Sequence, residues 1–396
     1  MDSRFDDLFV GVAVIIDDEV NDNKSTISKI VSQISSLNIP ILKYDKMPSD
    51  EEIKHFANLS FVLLDWKLET ESLPTGGHSA ELEKENDDNI RNFIKKLKEV
   101  CYCPILIFSN EEASALEMKL TEFAIIKEKK PSNIFIQNKS DLQITDSFKS
   151  KIVSWMKKTP SVYLLKEWEI EYHKSKTKLF YELQEIDPCW PMIMLKCYVK
   201  DDTEPRIEFR DLIARNIFGR MTEFAFNTKL IDMSSTAINK NELRMIIEGT
   251  KIIKKDENKK PMTGDIYRKD GSEPEETEYY INIRAQCDLL REEDPYIYLL
   301  KGKQLIQNSS GKITEAKFEH GEFQQRVNHE IISFIDDGKI IEFQFKEFSI
   351  KKFSSLETEQ LKKIGRLIPP YITRIQQRFS HYFQRQGLPS IPVEAI

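Results

Sequence analysis

Cysteine is scarce and scattered: Cys101, Cys103, Cys189, Cys197 and Cys287 are the only five in 396 residues. They form no C-x-x-C pair and have no histidine partner at zinc spacing, which argues against a disulfide framework and a zinc site and leaves reduced thiols as the expectation. No apolar run approaches the ~20 residues that a bilayer-spanning helix needs. The opening MDSRFDDLFV carries acids where a secretory leader would carry a basic stretch and an apolar core, so a cytoplasmic protein without a membrane partner is expected. Neither sign of charge dominates. With 58 basic against 65 acidic residues the balance is −7, which argues against a chain built mainly to neutralise nucleic-acid or membrane phosphates. No repeat recurs at a period of about 20–50 residues. No glycine-rich loop follows the first apolar run, which weakens a nucleotide- or flavin-binding reading.

What is present is enough for two or three domains: 40% hydrophobic residues for real cores and 31% charged residues to cover them. Apolar runs at Val10–Ile16, Ile39–Leu42, Ser60–Leu64, Pro104–Phe108 and Asn133–Ile136 lack polar alternation, as strands buried on both faces do. Between them lie amphipathic stretches such as Ile27, Ile30, Val31, Ile34 and Ile90, Phe93, Ile94, Leu97. Residues 1–155 therefore read as an α/β, doubly wound sheet of five parallel strands, interrupted by a polar insert over 69–88. Residues 156–250 turn helical, with a stripe through Leu164, Leu165, Trp168, Tyr172, Leu179, Phe180 and Leu183 and a second helix over Leu212–Phe226. A charged connector at 251–260 leads to a β-rich α+β module over 251–396, with strands at Tyr279–Ile283, Tyr296–Leu300 and Lys339–Phe348. Its terminal helix, Tyr371–Phe383, follows Pro369-Pro370.

In an open parallel sheet, ligands bind outside the carboxyl ends of the strands. Here strand one ends in Asp17-Asp18, strand three in Asp65, strand four in Ser109 and strand five in Lys139. Carboxylates crowded at one rim repel and require a cation. Magnesium suits a small oxygen-ligand set, and Lys139 supplies a second positive charge. An aspartate can attack phosphorus, cations can neutralise the equatorial oxygens, and a hydroxyl can donate to one of them, so the set is equipped for phosphoryl transfer to a carboxylate.

IIDDE at 15–19, LLDWK at 63–67, IFS at 107–109 and the strand-terminal Lys139 resemble the receiver domain of bacterial response regulators over residues 8–155. The resemblance implies Asp65 as phosphoacceptor and a magnesium site formed by Asp17, Asp18, Asp65 and the backbone carbonyl of Lys67. It implies Ser109 as the switch hydroxyl, Lys139 as the phosphate-binding lysine, and a histidine-kinase-like ATPase or another phosphodonor as partner. The chain departs from the pattern at Ser140, where proline is usual, at Asn110, where a small residue is usual, and at Ile136, where an aromatic is usual. Phosphorylation-dependent signalling to the C-terminal module is the expectation. The alternative is a phosphorylation-silent receiver acting as an adaptor or nucleic-acid-binding subunit.

Further on, Gly264-Asp265-Ile266, Tyr279-Tyr280 and Cys287-Asp288-Leu289 resemble uncharacterised modules of bacterial conflict systems, which implies a protein partner in an antiphage defence complex. Cys287 and Asp288, read at a strand end, are a candidate nucleophile and base-orienting pair that His320, His329 or His381 could complete; a structural thiol is the alternative. Lys362, Lys363, Arg366, Arg374, Arg378 and Arg385, interleaved with Phe379, Tyr382 and Phe383, are read as a basic terminal helix. It could track a nucleic-acid backbone, or simply pack its aromatics and leave its arginines in solvent.

Overall fold

The computed structural model describes residues 8–68, 79–128, 130–139, 148–201, 204–222, 231, 240–254, 260–273, 276–304, 329–335 and 339–384. They divide into two compact units, Met1–Pro188 with Ile213–Ser235, and Cys189–Leu212 with Thr236–Ile396.

The first unit holds β1 (Val12–Ile16), β2 (Ile41–Tyr44), β3 (Leu59–Asp65), β4 (Ile105–Ser109) and β5 (Ile134–Asn138), all parallel, in the order β2-β1-β3-β4-β5. Every residue of β3 and β4 is buried. Alternation along the strands explains how. Ala13, Ile15, Phe61, Leu63, Leu106 and Phe108 point into one core, lined by α1 (Thr26–Ser35). Val14, Ile16, Val62, Leu64, Ile105 and Ile107 point into the other, against α2 (Asp50–Ile53), α3 (Ser79–Val100) and α4 (Ala113–Glu122). A sheet covered on both faces needs apolar residues at both parities of the strand, which is why its strands read as unbroken apolar runs. β2 begins two residues later than the apolar run suggests, because Pro40 has no N–H to give and contributes its carbonyl to Ala13 N at 2.8 Å instead.

On the first face α5 (Phe148–Lys158) buries Phe148, Ile152 and Met156. The long α6 (Pro160–Ile186) follows, opened by a proline in its first turn. Its buried face is not the apolar stripe that the sequence suggests. Val162, Tyr163, Lys166, Glu167, Ser175 and Leu179 are buried, whereas Leu164 and Trp168 are 44% and 38% exposed. The Trp168 and Tyr172 rings stack on each other at 5.0 Å instead of entering the core. Helical periodicity admits two overlapping stripes here, and counting apolar residues passes over the one that buries a lysine with a glutamate.

α7 (Trp190–Lys200) and α8 (Pro205–Arg220) follow; α8 starts before, and ends before, the stretch expected from residue pattern. α9 (Lys240–Gly249) leads to an antiparallel sheet of seven strands: β6 (Ile252–Ile253), β7 (Asp265–Lys269), β8 (Glu278–Asn282), β9 (Tyr296–Gln304), β10 (His329–Ile335), β11 (Lys339–Lys352) and β12 (Lys362–Leu367). Their spatial order is β10-β11-β9-β8-β7-β12-β6. The short α10 (Gln286–Arg291) joins β8 to β9, and α11 (Ser355–Thr358) joins β11 to β12. The last helix, α12 (Tyr371–Gln384), presses Ile372 and Ile375 onto one face of the sheet, beside Ile266, Ile281, Phe345 and Leu367. The other face gathers Tyr267, Leu289, Ile297, Leu299, Leu356 and Leu361. Among the described residues, no helix is long and apolar enough to cross a membrane.

Candidate functional site

The strand order reverses direction at β1: the chain moves from β1 outward to β2, then returns to β3 on the other side. Such a switch point leaves a crevice at the carboxyl ends of β1 and β3, because the two connections leave in opposite directions. Asp17 follows the last residue of β1 and Asp65 is the last residue of β3. Asp17 is fully buried, Asp65 is 5% exposed, and Lys139, directly after β5, is 6% exposed.

Lys139 Nζ donates to Asp17 Oδ2 at 3.0 Å and to Asp65 Oδ2 at 2.7 Å. The remaining oxygens are also engaged: Asp17 Oδ1 accepts from Glu19 N at 2.9 Å, and Asp65 Oδ1 from Lys67 N at 3.3 Å. Burial nevertheless wins over these attractions. It pushes the Asp65 carboxyl up to about 6, helped by the Asp17 charge and opposed by Lys139. Burial raises Asp17 as well. Lys139 is pulled down by its own burial, but the two carboxylates more than offset this and hold it above the usual lysine range. One cation is therefore shared by two acids that would each accept a further positive charge.

Asp18, half-buried, completes the cluster: Asp17, Asp18 and Asp65 each offer a carboxylate oxygen, all within 4.8 Å of one another. Three hard oxygen donors in that space could hold a metal ion, and the all-carboxylate set suits a hard divalent cation better than a thiophilic one. Ser109, at the end of β4 and 1% exposed, is the fourth sequence-predicted member at this edge. Its Oγ accepts from Glu111 N at 3.1 Å, which leaves the hydroxyl proton free to donate elsewhere. The expected role for the Lys67 carbonyl is joined by two observed contacts of that residue, its N–H to Asp65 and its Nζ to Glu111 at 3.1 Å.

Sequence reading missed the surrounding polar network. Glu111 also faces Lys119 at 3.7 Å, Lys119 pairs with Asp87 at 3.0 Å, and Asp87 accepts from the buried Trp66 indole at 2.9 Å. Asn86 donates to the Trp66 carbonyl at 2.6 Å, and Asn138 donates to the Asn110 and Glu111 carbonyls, each at 3.3 Å. These residues flank the motifs by one or two positions or lie on neighbouring helices, so no local pattern marks them. Ser140 and residues 69–78 of the insert lie outside the described residues.

The C-terminal candidates are placed differently from expectation. β8 ends at Asn282 and Ala285 caps α10, so Cys287 and Asp288 lie on the first turn of a short helix rather than at a strand end. Cys287 is exposed, and its Sγ meets Asp288 Oδ1 at 3.6 Å. His320 lies outside the described residues, His329 is on β10 and His381 is on α12. The basic run is split between two elements. Lys362, Lys363 and Arg366 belong to β12, where Lys363 pairs with the buried Asp265 at 2.9 Å; Arg374 and Arg378 belong to α12. Arg378 stacks over Phe345 at 5.9 Å, and Phe379 packs against Phe345 and Phe348 at 6.0 and 5.1 Å. Tyr382 meets Phe345 at 5.7 Å, while Phe383 is 77% exposed. Arg385 lies outside the described residues.

No family model matches the chain, and no curated protein matches it. Among solved structures, a fusion containing the trimeric coiled coil of yeast Spc42 aligns with a TM-score of 0.25 at 10% identity, over 46% of this chain and 99% of that one. A likeness at that score carries no argument. The first unit is a flavodoxin-like sheet by its own strand order.

Proposed function

We propose that the first unit is a receiver-type phosphoacceptor switch that transmits its state to the C-terminal module. The observation that carries this reading is the shared cation: Lys139 Nζ touches both Asp17 and Asp65 at the switch point, with Asp18 alongside. Asp65 is the nucleophile. One of its carboxylate oxygens attacks the phosphorus of an acyl phosphate or of a phosphohistidine on a histidine-kinase-like ATPase. The new O–P bond forms as the bond to the donor's leaving group breaks, and the leaving group keeps the electron pair. Lys139, already bonded to Asp65, moves its ammonium onto a phosphoryl oxygen, and the free Ser109 hydroxyl proton donates to another. Asp17, Asp18 and Asp65, with the Lys67 carbonyl, would hold magnesium, which supplies charge neutralisation at the phosphoryl group when bound. Product is retained by the same contacts, so the phosphorylated state differs from the resting one in where Lys139 and Ser109 are engaged.

A thermal melt tests this reading. Magnesium with beryllofluoride, a phosphoryl mimic, is expected to raise the transition of the wild type; a ligand at a hundred times its Kd adds about 2.7 kcal/mol. Asp65→Asn is expected to abolish the rise. A wild type that ignores both additions favours the phosphorylation-silent adaptor instead. That second reading draws on the Lys67–Glu111 ion pair, which ties together the segments after Asp65 and Ser109.

A further inference from the structure

Two stretches that a phosphoacceptor switch leaves unused, Gly264-Asp265-Ile266 and Lys362-Lys363, meet on neighbouring strands of the second unit. β7 and β12 run antiparallel, with Lys363 opposite Tyr267 and Arg366 opposite Asp265, and the register shifts between Lys363 and Gly365. Asp265 and Tyr267, two residues apart on β7, share the face that α11 covers, while Ile266 points into the other core. Asp265 is fully buried, and both of its oxygens are engaged. Oδ2 accepts from Met262 N at 2.8 Å and from the Tyr267 hydroxyl at 3.3 Å, and Lys363 Nζ lies 2.9 Å from Oδ1. Buried ion pairs gain little over apolar residues of the same size, so stability does not account for this one. Its effect is to fix an ammonium group on the wall of a cavity.

That cavity lies on the α11 side of β7 and β12 and holds about 600 Å³, a volume within the range of small-molecule sites. One wall is apolar, made by Phe353, Leu356 and Leu361. Another is cationic, made by Lys260, Lys362 and Lys363. Asp265 and Glu357 are the carboxylates of the lining, and Lys363 already matches Asp265, so positive charge is in excess. The cations are all lysines. A guanidinium fork matches a carboxylate edge to edge, whereas an ammonium is a compact point charge that suits a phosphate. Lys260 and Lys362 are solvent-exposed, and their pairs with Glu204 at 4.0 Å and Asp270 at 3.5 Å are long. A phosphate can take over either lysine at little cost. A bare phosphate would leave the apolar wall uncovered. A flat heteroaromatic base covers it and turns its polar edge to Glu357 and Gln360, an acceptor and an amide on the same lining.

We propose that this cavity binds a nucleoside monophosphate. The phosphate takes the ammonium groups of Lys260, Lys362 and Lys363, and the base lies against Phe353, Leu356 and Leu361. Asp265 is a positioning residue: it holds Lys363 in place and is itself oriented by the Met262 N–H and the Tyr267 hydroxyl. The assignment is one of binding, and no bond is made or broken. It is independent of phosphorylation at Asp65, which belongs to the other unit.

The test is calorimetric titration of the full chain with AMP, GMP, CMP and UMP in turn. Leaving out magnesium keeps their phosphates from being drawn to Asp17, Asp18 and Asp65. At least one nucleotide is expected to bind with one-to-one stoichiometry, more tightly than its nucleoside or inorganic phosphate. Lys363→Met is expected to abolish binding, but it also strands the buried Asp265, so the exposed lysines supply variants that keep the fold. Lys260→Gln and Lys362→Gln are each expected to weaken binding about tenfold. Lys174→Gln, on an equally exposed lysine of α6, is expected to leave it unchanged. Silence with all the nucleotides would overturn the proposal. So would binding that both Lys260→Gln and Lys362→Gln leave intact, or a nucleoside or inorganic phosphate that binds as tightly as the nucleotide.

Discussion

Lys139 carries the electrostatics of the carboxylate site. Between about pH 4 and about 6 the folded state binds more protons at Asp65 than the unfolded chain, because its carboxyl is raised from 3.8 to about 6. A raised carboxylate pKa makes stability fall as pH rises through that window, and the loss is complete above it. The size is about 3 kcal/mol, from 1.36 kcal/mol per pH unit. Urea midpoints of the metal-free protein across this range are expected to show the decline, and the difference between wild type and Asp65→Asn isolates it. If both proteins have the same slope, Asp65 is not the titrating group. Lys139→Met is expected to leave two buried acids without their cation, costing about 3–5 kcal/mol near pH 8 and less near pH 5, where protonation relieves them. Equal destabilisation at both pH values would contradict the ion-pair geometry. The residues at this site were legible because each closes an apolar run. Trp66, Asp87, Lys119 and Glu111 were not, because their partners come from other elements.

At the level of elements, the five parallel strands announce themselves because both of their faces are buried, and an apolar run needs no partner to be seen. The buried face of α6 was hidden for the opposite reason. Lys166 and Glu167 read as solvent residues until the contact between Lys166 and the Leu59 carbonyl is known. The basic run after Gln360 looked like one helix because charge has no period; the backbone divides it into β12 and α12 at Pro369-Pro370. In the second unit a single glycine joins these elements. Gly264 has φ +89, and a Cβ there would lie 2.1 Å from the Leu367 carbonyl oxygen, whose residue ends β12. Gly264→Ala is expected to destabilise the second unit by at least about 2 kcal/mol, since the left-handed backbone alone costs about 1–2 kcal/mol and the carbonyl cannot withdraw without breaking the Leu367 N to Gly264 O bond. A urea midpoint like that of wild type would show that the β7–β12 junction yields more easily.

The whole molecule joins two units with separate cores: the residues of the two clusters around the parallel sheet do not recur in the two around the antiparallel sheet. Damage to one core should therefore spare chemistry in the other. Gly264→Ala is expected to retain the melting response of the first unit to magnesium and beryllofluoride, followed by calorimetry, and loss of that response would mean that the units fold as one. The sequence divided the chain into three segments by composition. The structure divides into two compact units, with 189–212 grouped with the second and 213–235 with the first. The central claim concerns Asp65, and intact mass after incubation with magnesium and acetyl phosphate tests it most directly, with wild type beside Asp65→Asn. The expected result is the gain of one phosphoryl group by the wild type and none by the variant. A wild type that stays unmodified, or a variant that gains the same mass, would contradict the assignment of Asp65 as phosphoacceptor.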